Sequence, residues 1–211
     1  MEARRKLMLT NCGGAASRPQ PLACQQLSQD QALDTVHSLL ARLTTEAALT
    51  PADQLQIISQ LAAIVTAESP KINQVQFVHD ILAQTQILSI AKTILSLTFS
   101  STADPCYVMK VQIMRVLISL ELGSGQQQRG QILMAGFLVQ IRYIMEWYIK
   151  TDETQESELI EYCLWFFANM MAIDPRDSQT DREFSAKIAV EICSQTNLVS
   201  AMCQLADKVR V

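Results

Sequence analysis

The residues best suited to chemistry in this chain lie in one segment, LIEYCLWFFANMMAID, at residues 159–174. At helical period, Glu161, Trp165 and Asn169 follow one another at one-turn intervals on the same side of a helix. Two apolar rows fill the other side: Leu159, Cys163, Phe166 and Met170, and beside them Ile160, Leu164, Phe167 and Met171. A carboxylate, an indole and a carboxamide presented outward together are typical of a binding surface.

Nothing comparable points to catalysis. The two histidines, His37 and His79, lie in helical patterns without a serine, cysteine or aspartate arranged around them as a triad. The six cysteines form no CxxC pair and have no histidine partner at metal-ligand spacing, which favours a reducing compartment and no metal or other cofactor. We therefore expect a protein that is not an enzyme.

Composition limits the partners as well. The net charge of −4 argues against a nucleic-acid binder. The longest apolar-rich stretch, 132–149, is interrupted by Gln140, Arg142 and Glu146, so no membrane-spanning helix is expected. Residues 1–28 contain basic Arg4, Arg5 and Lys6 followed by glycines and prolines; a flexible tail is favoured there over a mitochondrial presequence.

The elements that must position Trp165 are predicted to be helical throughout. Glycine and proline are scarce and fall between periodic segments. The periodicity predicts helices at 29–46, 51–68, 72–84, 86–97, 106–122, 128–135, 137–150, 155–173, 181–194 and 197–209. Thr50, Asp104 and Thr154 are the expected caps of three of them. The fold class is therefore all-α.

A repeated plan emerges from the order of these helices. A short helix, a longer one and a long third helix recur, and the two long helices 106–122 and 155–173 superpose with Arg115 on Trp165 and Ser119 on Asn169. An earlier long helix places Leu61 and Val65 at the same two positions. We expect residues 29–211 to form a right-handed α-solenoid of about three and a half repeats.

The segments ILMAGFLVQIRYIMEWYI and LIEYCLWFFANMMAID resemble the armadillo repeats of the importin alpha family. In that family, third helices line a groove in which tryptophan and asparagine hold an extended basic peptide, the nuclear localisation signal. The resemblance implies that Trp165 and Asn169 contact such a peptide, with Glu161 and Asp174 receiving its cations. Ser119 and Arg115 would line the neighbouring position, where Arg115 repels lysine.

By the same resemblance, the expected function is that of a non-catalytic adaptor for nuclear protein import. It would act in the cytoplasm and the nucleus with an importin-beta-type carrier. The alternative is a scaffold subunit of a multiprotein assembly. Leu198, Met202, Leu205 and Val209 would leave an apolar C-terminal edge uncovered, through which the chain could self-associate.

Overall fold

The computed structural model describes residues 27–46, 48–67, 71–123, 126–151, 157–171, 179–194 and 196–209. Within these ranges the chain forms ten α-helices and no β-strand. The all-α prediction is confirmed. The predicted tail falls almost wholly outside the described residues.

The helices begin and end within a few residues of the predicted bounds. In chain order they are α1 Gln29–Thr45, α2 Pro51–Val65, α3 Gln74–Gln84, α4 Ile87–Ser96, α5 Pro105–Leu122, α6 Gln126–Met134, α7 Phe137–Lys150, α8 Glu158–Met171, α9 Gln179–Ser194 and α10 Thr196–Val209.

Local sequence explains where several helices start. The Thr50 side chain accepts a hydrogen bond from the Asp53 backbone nitrogen, and the Asp53 carboxylate accepts one from the Thr50 backbone nitrogen, just before Pro51 opens α2. The Thr50 hydroxyl also donates to the Asp53 carboxylate, and this bond, followed by the one from the Thr50 backbone nitrogen, lowers the pKa of the Asp53 carboxyl. Asp104 caps α5 in a related way, accepting from the Cys106 backbone at 2.8 Å. Both predicted caps are confirmed.

The junction between α6 and α7 depends on Gly136. Its φ of +80° is a left-handed conformation that a side chain disfavours. The glycine ends the short helix and turns the chain into the longer one, as the pair Ala135-Gly136 predicts.

Most helices that lie three apart in the chain pack against one another, whereas α3 and α6 share no comparable interface in the described residues. Helix α5 lies between α2 and α8, and these two interfaces are the most extensive in the described residues. Helices α1, α4, α7 and α10 contact one another in succession, and α6 contacts α9. The burial of one apolar face of each helix follows from this stacking.

The predicted uncovered C-terminal edge is wrong for the residues that can be judged. Helix α10 packs against α7, and Leu198 and Leu205 are buried, while Met202 is half-buried. The side chain of Val209 lies outside the described set. Stacking of α10 on α7 covers the row that the sequence pattern left open, so this row no longer supports self-association.

In the described part of the chain, no single helix is long and apolar enough to cross a membrane. The pair Gln128–Met134 and Phe137–Lys150 reaches that length and composition together but bends by 61° at its break.

Candidate functional site

Helix α8 carries the outward row of chemical groups that the sequence predicts, with one exception. Glu158, Glu161 and Ala168 are exposed, and Tyr162 and Trp165 are half-buried; these five residues are called the α8 strip. Of the two apolar rows on the other side, every described side chain is buried except Leu164, which is half-buried. Tyr162 and Trp165 also pack against the hydrophobic core, so the strip joins an exposed acidic edge to two rings at the border of the interior face.

Trp165 is fixed by its neighbours on the same helix. The ring of Tyr162 meets the indole edge to face, with centroids 6.0 Å apart and planes at 77°. The Tyr162 hydroxyl donates to the Glu158 carboxylate at 3.1 Å. Two aromatic rings and two carboxylates thus share one helical surface. Tyr162 is a member that the sequence reading missed, although its position three residues before Trp165 could have indicated it.

The outward placement predicted for Asn169 is wrong. Asn169 is only 4 % exposed, and its Nδ2 has no hydrogen-bond partner in the described structure. Helix α9 packs against α8, and packing between helices is not contained in the helical period of α8 alone. A buried amide without a partner costs free energy, about 1–3 kcal/mol.

Two further predictions concern the ends of α8. Asp174, the predicted acidic contact, lies outside the described residues, as does the predicted cap Thr154. Ser157 stands in the capping position instead: its Oγ accepts from the backbone nitrogen of Ile160 at 3.4 Å.

Helix α5 presents a narrower outward row. Apart from its first turn, the residues of α5 that are not buried are Val108, Gln112, Arg115, Ser119 and Leu122, all half-buried; the first four are called the α5 strip. Arg115 donates through Nη1 to Oε1 of Gln112 at 3.1 Å. Arg115 and Ser119 therefore occupy the outward position predicted for them.

A buried hydrogen-bond cluster sets the register between α5 and α8. The hydroxyl of Tyr107 lies 3.1 Å from Oγ of Ser157, 50 residues further along the chain. The backbone nitrogen of Leu159 donates to the same Tyr107 oxygen at 3.4 Å. The N-terminal ends of the two helices thus meet, and their extensive packing then requires them to run parallel.

At this offset of 50 residues the two strips coincide at three positions, while their other members match buried residues of the other helix. Val108 matches Glu158, Gln112 matches Tyr162, and Arg115 matches Trp165. The structure therefore supports the predicted superposition of Arg115 on Trp165 with a contact that the sequence could not reveal.

The positions predicted for α2 need correction. Leu61 and Val65 are 0 % and 1 % exposed, so they belong to the interior face. The outward row of α2 is instead Ala52, Gln56, Ser59 and Ala63, the α2 strip, which matches the α5 strip at an offset of 56 residues (115 − 59 = 56). Helix order alone places Leu61 and Val65 at the positions of Trp165 and Asn169, because the order of helices carries no information on which side chains are buried.

The interior face of α5 holds an unexpected charge. Lys110 is 1 % exposed; its Nζ donates to the carbonyl of Leu95 and lies 5.6 Å from the ring centroid of Phe99. Burial lowers the pKa of Lys110 from its ordinary 10.5 to about 8. Burial likewise raises the pKa of the Cys163 thiol on α8 to about 12. This lysine ties the end of α4 to α5.

The second tryptophan and the two histidines lie outside the α8 strip. Trp147 packs on Phe99, with ring centroids 4.4 Å apart. His37 is half-buried and His79 exposed. Within the described ranges, histidine, cysteine, aspartate and glutamate form no group of three that could hold a metal ion.

Comparison of the chain with protein-family models, with curated proteins and with solved structures finds no match. The site is therefore interpreted from its own residues.

Proposed function

We propose that the chain is a non-catalytic peptide-binding module, built as a right-handed armadillo-type solenoid similar to importin alpha. Its ligand is a linear peptide that places a cationic side chain on the α8 strip. In this proposal it acts as an adaptor for nuclear protein import in the cytoplasm and nucleus, with an importin-beta-type carrier as partner.

The packing order supports the solenoid. In a three-helix repeat, each helix stacks on its counterpart three helices later. The series α1–α4–α7–α10 and α2–α5–α8 follow that rule, and α6 with α9 continues it. Helices α2, α5 and α8 would then be the third helices that line the groove.

The observation that carries the peptide proposal is the chemistry of the α8 strip. The faces of Trp165 and Tyr162 can cover the methylene stem of a lysine or arginine, and Glu158 and Glu161 supply negative charge to its head group. Because the strip has counterparts at matching positions of α5 and α2, an extended peptide crossing the helices would meet one position on each.

Asn169 adds a second indication. Among the described residues its buried Nδ2 has no partner, and it lies one turn beyond Trp165. A peptide carbonyl reaching this point would satisfy the donor and recover the cost of leaving it unpaired. A small local opening at the end of α8 would be needed for access, since the residue is 4 % exposed.

The test is fluorescence anisotropy with a fluorescein-labelled lysine-rich peptide. We expect Trp165→Ala to weaken binding at least tenfold, because the stacking surface is lost. Tyr143→Ala is the matched control, since Tyr143 is 58 % exposed on α7, outside the strip. Circular dichroism checks that both variants fold. Unchanged binding by a folded Trp165→Ala protein, or equal weakening by Tyr143→Ala, contradicts the proposal.

A further inference from the structure

The α5 and α8 strips carry opposite charge. On α8, Glu158 and Glu161 are exposed beside the aromatic pair. On α5, the matching position is held by Arg115, which is half-buried and oriented by Gln112. In the described part of the chain no carboxylate forms an ion pair with Arg115. A ligand that crosses both helices must therefore meet a negative field and then a positive one.

We infer that the ligand is a peptide of mixed charge, with a basic side chain on the α8 strip and an acidic side chain on Arg115. The inference rests on the proposed function, because it names the partner of the same groove. A uniformly basic peptide would place a cation against Arg115, and like charges at that position reduce affinity. An acidic side chain would instead form a charge-assisted hydrogen bond with the guanidinium.

The helix spacing sets the distance between the two ligand charges. Packed helices lie roughly 8–10 Å apart. A peptide in the extended polyproline II conformation rises about 3.1 Å per residue with about three residues per turn, so side chains three positions apart point to the same side. The acidic and basic residues should therefore be about three positions apart in the peptide. Either order along the peptide is compatible with this spacing, so both need to be tested.

The position on α2 adds to the specificity. Ser59 matches Arg115 and Ala63 matches Ser119, so the α2 strip offers small, uncharged side chains at these two positions. A ligand residue beyond the acidic one would meet neither a carboxylate nor a cation there. We therefore expect the charge preference to end at the acidic residue.

The experiment uses the full chain and labelled synthetic peptides. One peptide is an all-lysine cluster, and two others carry one glutamate three residues before or three residues after that cluster. Each glutamate peptide has a control with glutamine in place of the glutamate. We expect one glutamate peptide to bind about three- to tenfold more tightly than its glutamine control, as a partly buried ion pair would give. Arg115→Gln should remove that difference in affinity. Arg115→Glu should reverse the preference, so that a peptide with lysine at that place binds more tightly than the glutamate peptide.

Arg142→Gln is the control variant, because Arg142 already lies 3.4 Å from Glu146 and stacks on Tyr143. It should leave the preference unchanged. Equal binding of glutamate and glutamine peptides, or tighter binding of the all-lysine peptide, overturns the mixed-charge inference while leaving peptide binding intact. Failure of every peptide to bind overturns the proposed function as well.

Discussion

Helices α5 and α8 lie side by side in the same register, yet their outward strips differ in chemistry. The α5 strip is polar and cationic through Arg115, whereas the α8 strip is aromatic and acidic through Trp165 and Glu161. Their interiors differ too, since α5 buries the charged Lys110 and α8 buries Phe166 and Cys163. Packing therefore determines where a side chain points, while the residue at each matched position determines what the surface can bind.

Substitutions on the inner side of α8 should cost more stability than substitutions on its outer side. Phe166→Ala should lower the free energy of unfolding by about 3–5 kcal/mol, because the ring is 1 % exposed and leaves a cavity. Trp165→Ala, one residue earlier, should cost no more than about 2 kcal/mol because the indole is only half-buried. Urea unfolding followed by circular dichroism measures both. Equal costs would show that Trp165 is a core residue and not part of an outer strip.

The second prediction concerns the hydrogen bonds of Tyr107 and Ser157, which set the register between α5 and α8. Tyr107→Phe should cost about 1–3 kcal/mol, since the buried Leu159 nitrogen loses its acceptor. In a double-mutant cycle with Ser157→Ala, the two changes should be non-additive by at least 0.5 kcal/mol, a coupling typical of residues in contact. Additive costs would contradict the register on which the matched strips depend.

The positions of the helices could be predicted from the sequence, and the reasons are local. Prolines, glycines and caps such as Thr50 and Asp104 mark helix ends through short-range hydrogen bonds. The outward position of Trp165 also followed from period. The burial of Asn169 and of Leu61 did not, because each depends on which helix packs over it. Lys110 was missed for the same reason: its partner Leu95 O belongs to another helix.

Asn169 offers a change with opposite expected signs. Asn169→Leu should raise the free energy of unfolding by about 1 kcal/mol, because it removes a buried donor that has no partner in the part of the chain that the structure describes. The same change should weaken binding of the lysine-rich peptide if Nδ2 is reserved for the ligand. Chemical unfolding and anisotropy measure the two effects. A destabilised variant with unchanged binding would identify Asn169 as a purely structural residue.

The buried charge of α5 predicts a pH dependence. Because the pKa of Lys110 is lowered to about 8 in the folded chain, the unfolded chain holds more protons between about 8 and 10.5, and stability should rise with pH in that window. The raised pKa of Cys163 acts in the opposite sense above about 9, the ordinary thiol value. The clear interval is therefore pH 8 to 9.

Over that interval the free energy of unfolding should increase by about 1 kcal/mol relative to Lys110→Met, which keeps the apolar stem and removes the amine. Unfolding in urea at the two pH values gives this difference. A wild-type protein that loses stability relative to Lys110→Met from pH 8 to 9 would contradict the assigned environment of the lysine.

The fluorescence of a single tryptophan can report whether the α8 strip itself contacts the ligand. The chain has two tryptophans, so Trp147→Phe leaves Trp165 alone and preserves an aromatic ring against Phe99. Titration with an unlabelled lysine-containing peptide should change the Trp165 emission with saturation, and Glu158→Gln with Glu161→Gln should weaken the response at least tenfold. Two results would contradict contact between the α8 strip and the ligand. One is binding detected by calorimetry without any change in Trp165 emission, and the other is undiminished affinity in the double glutamine variant.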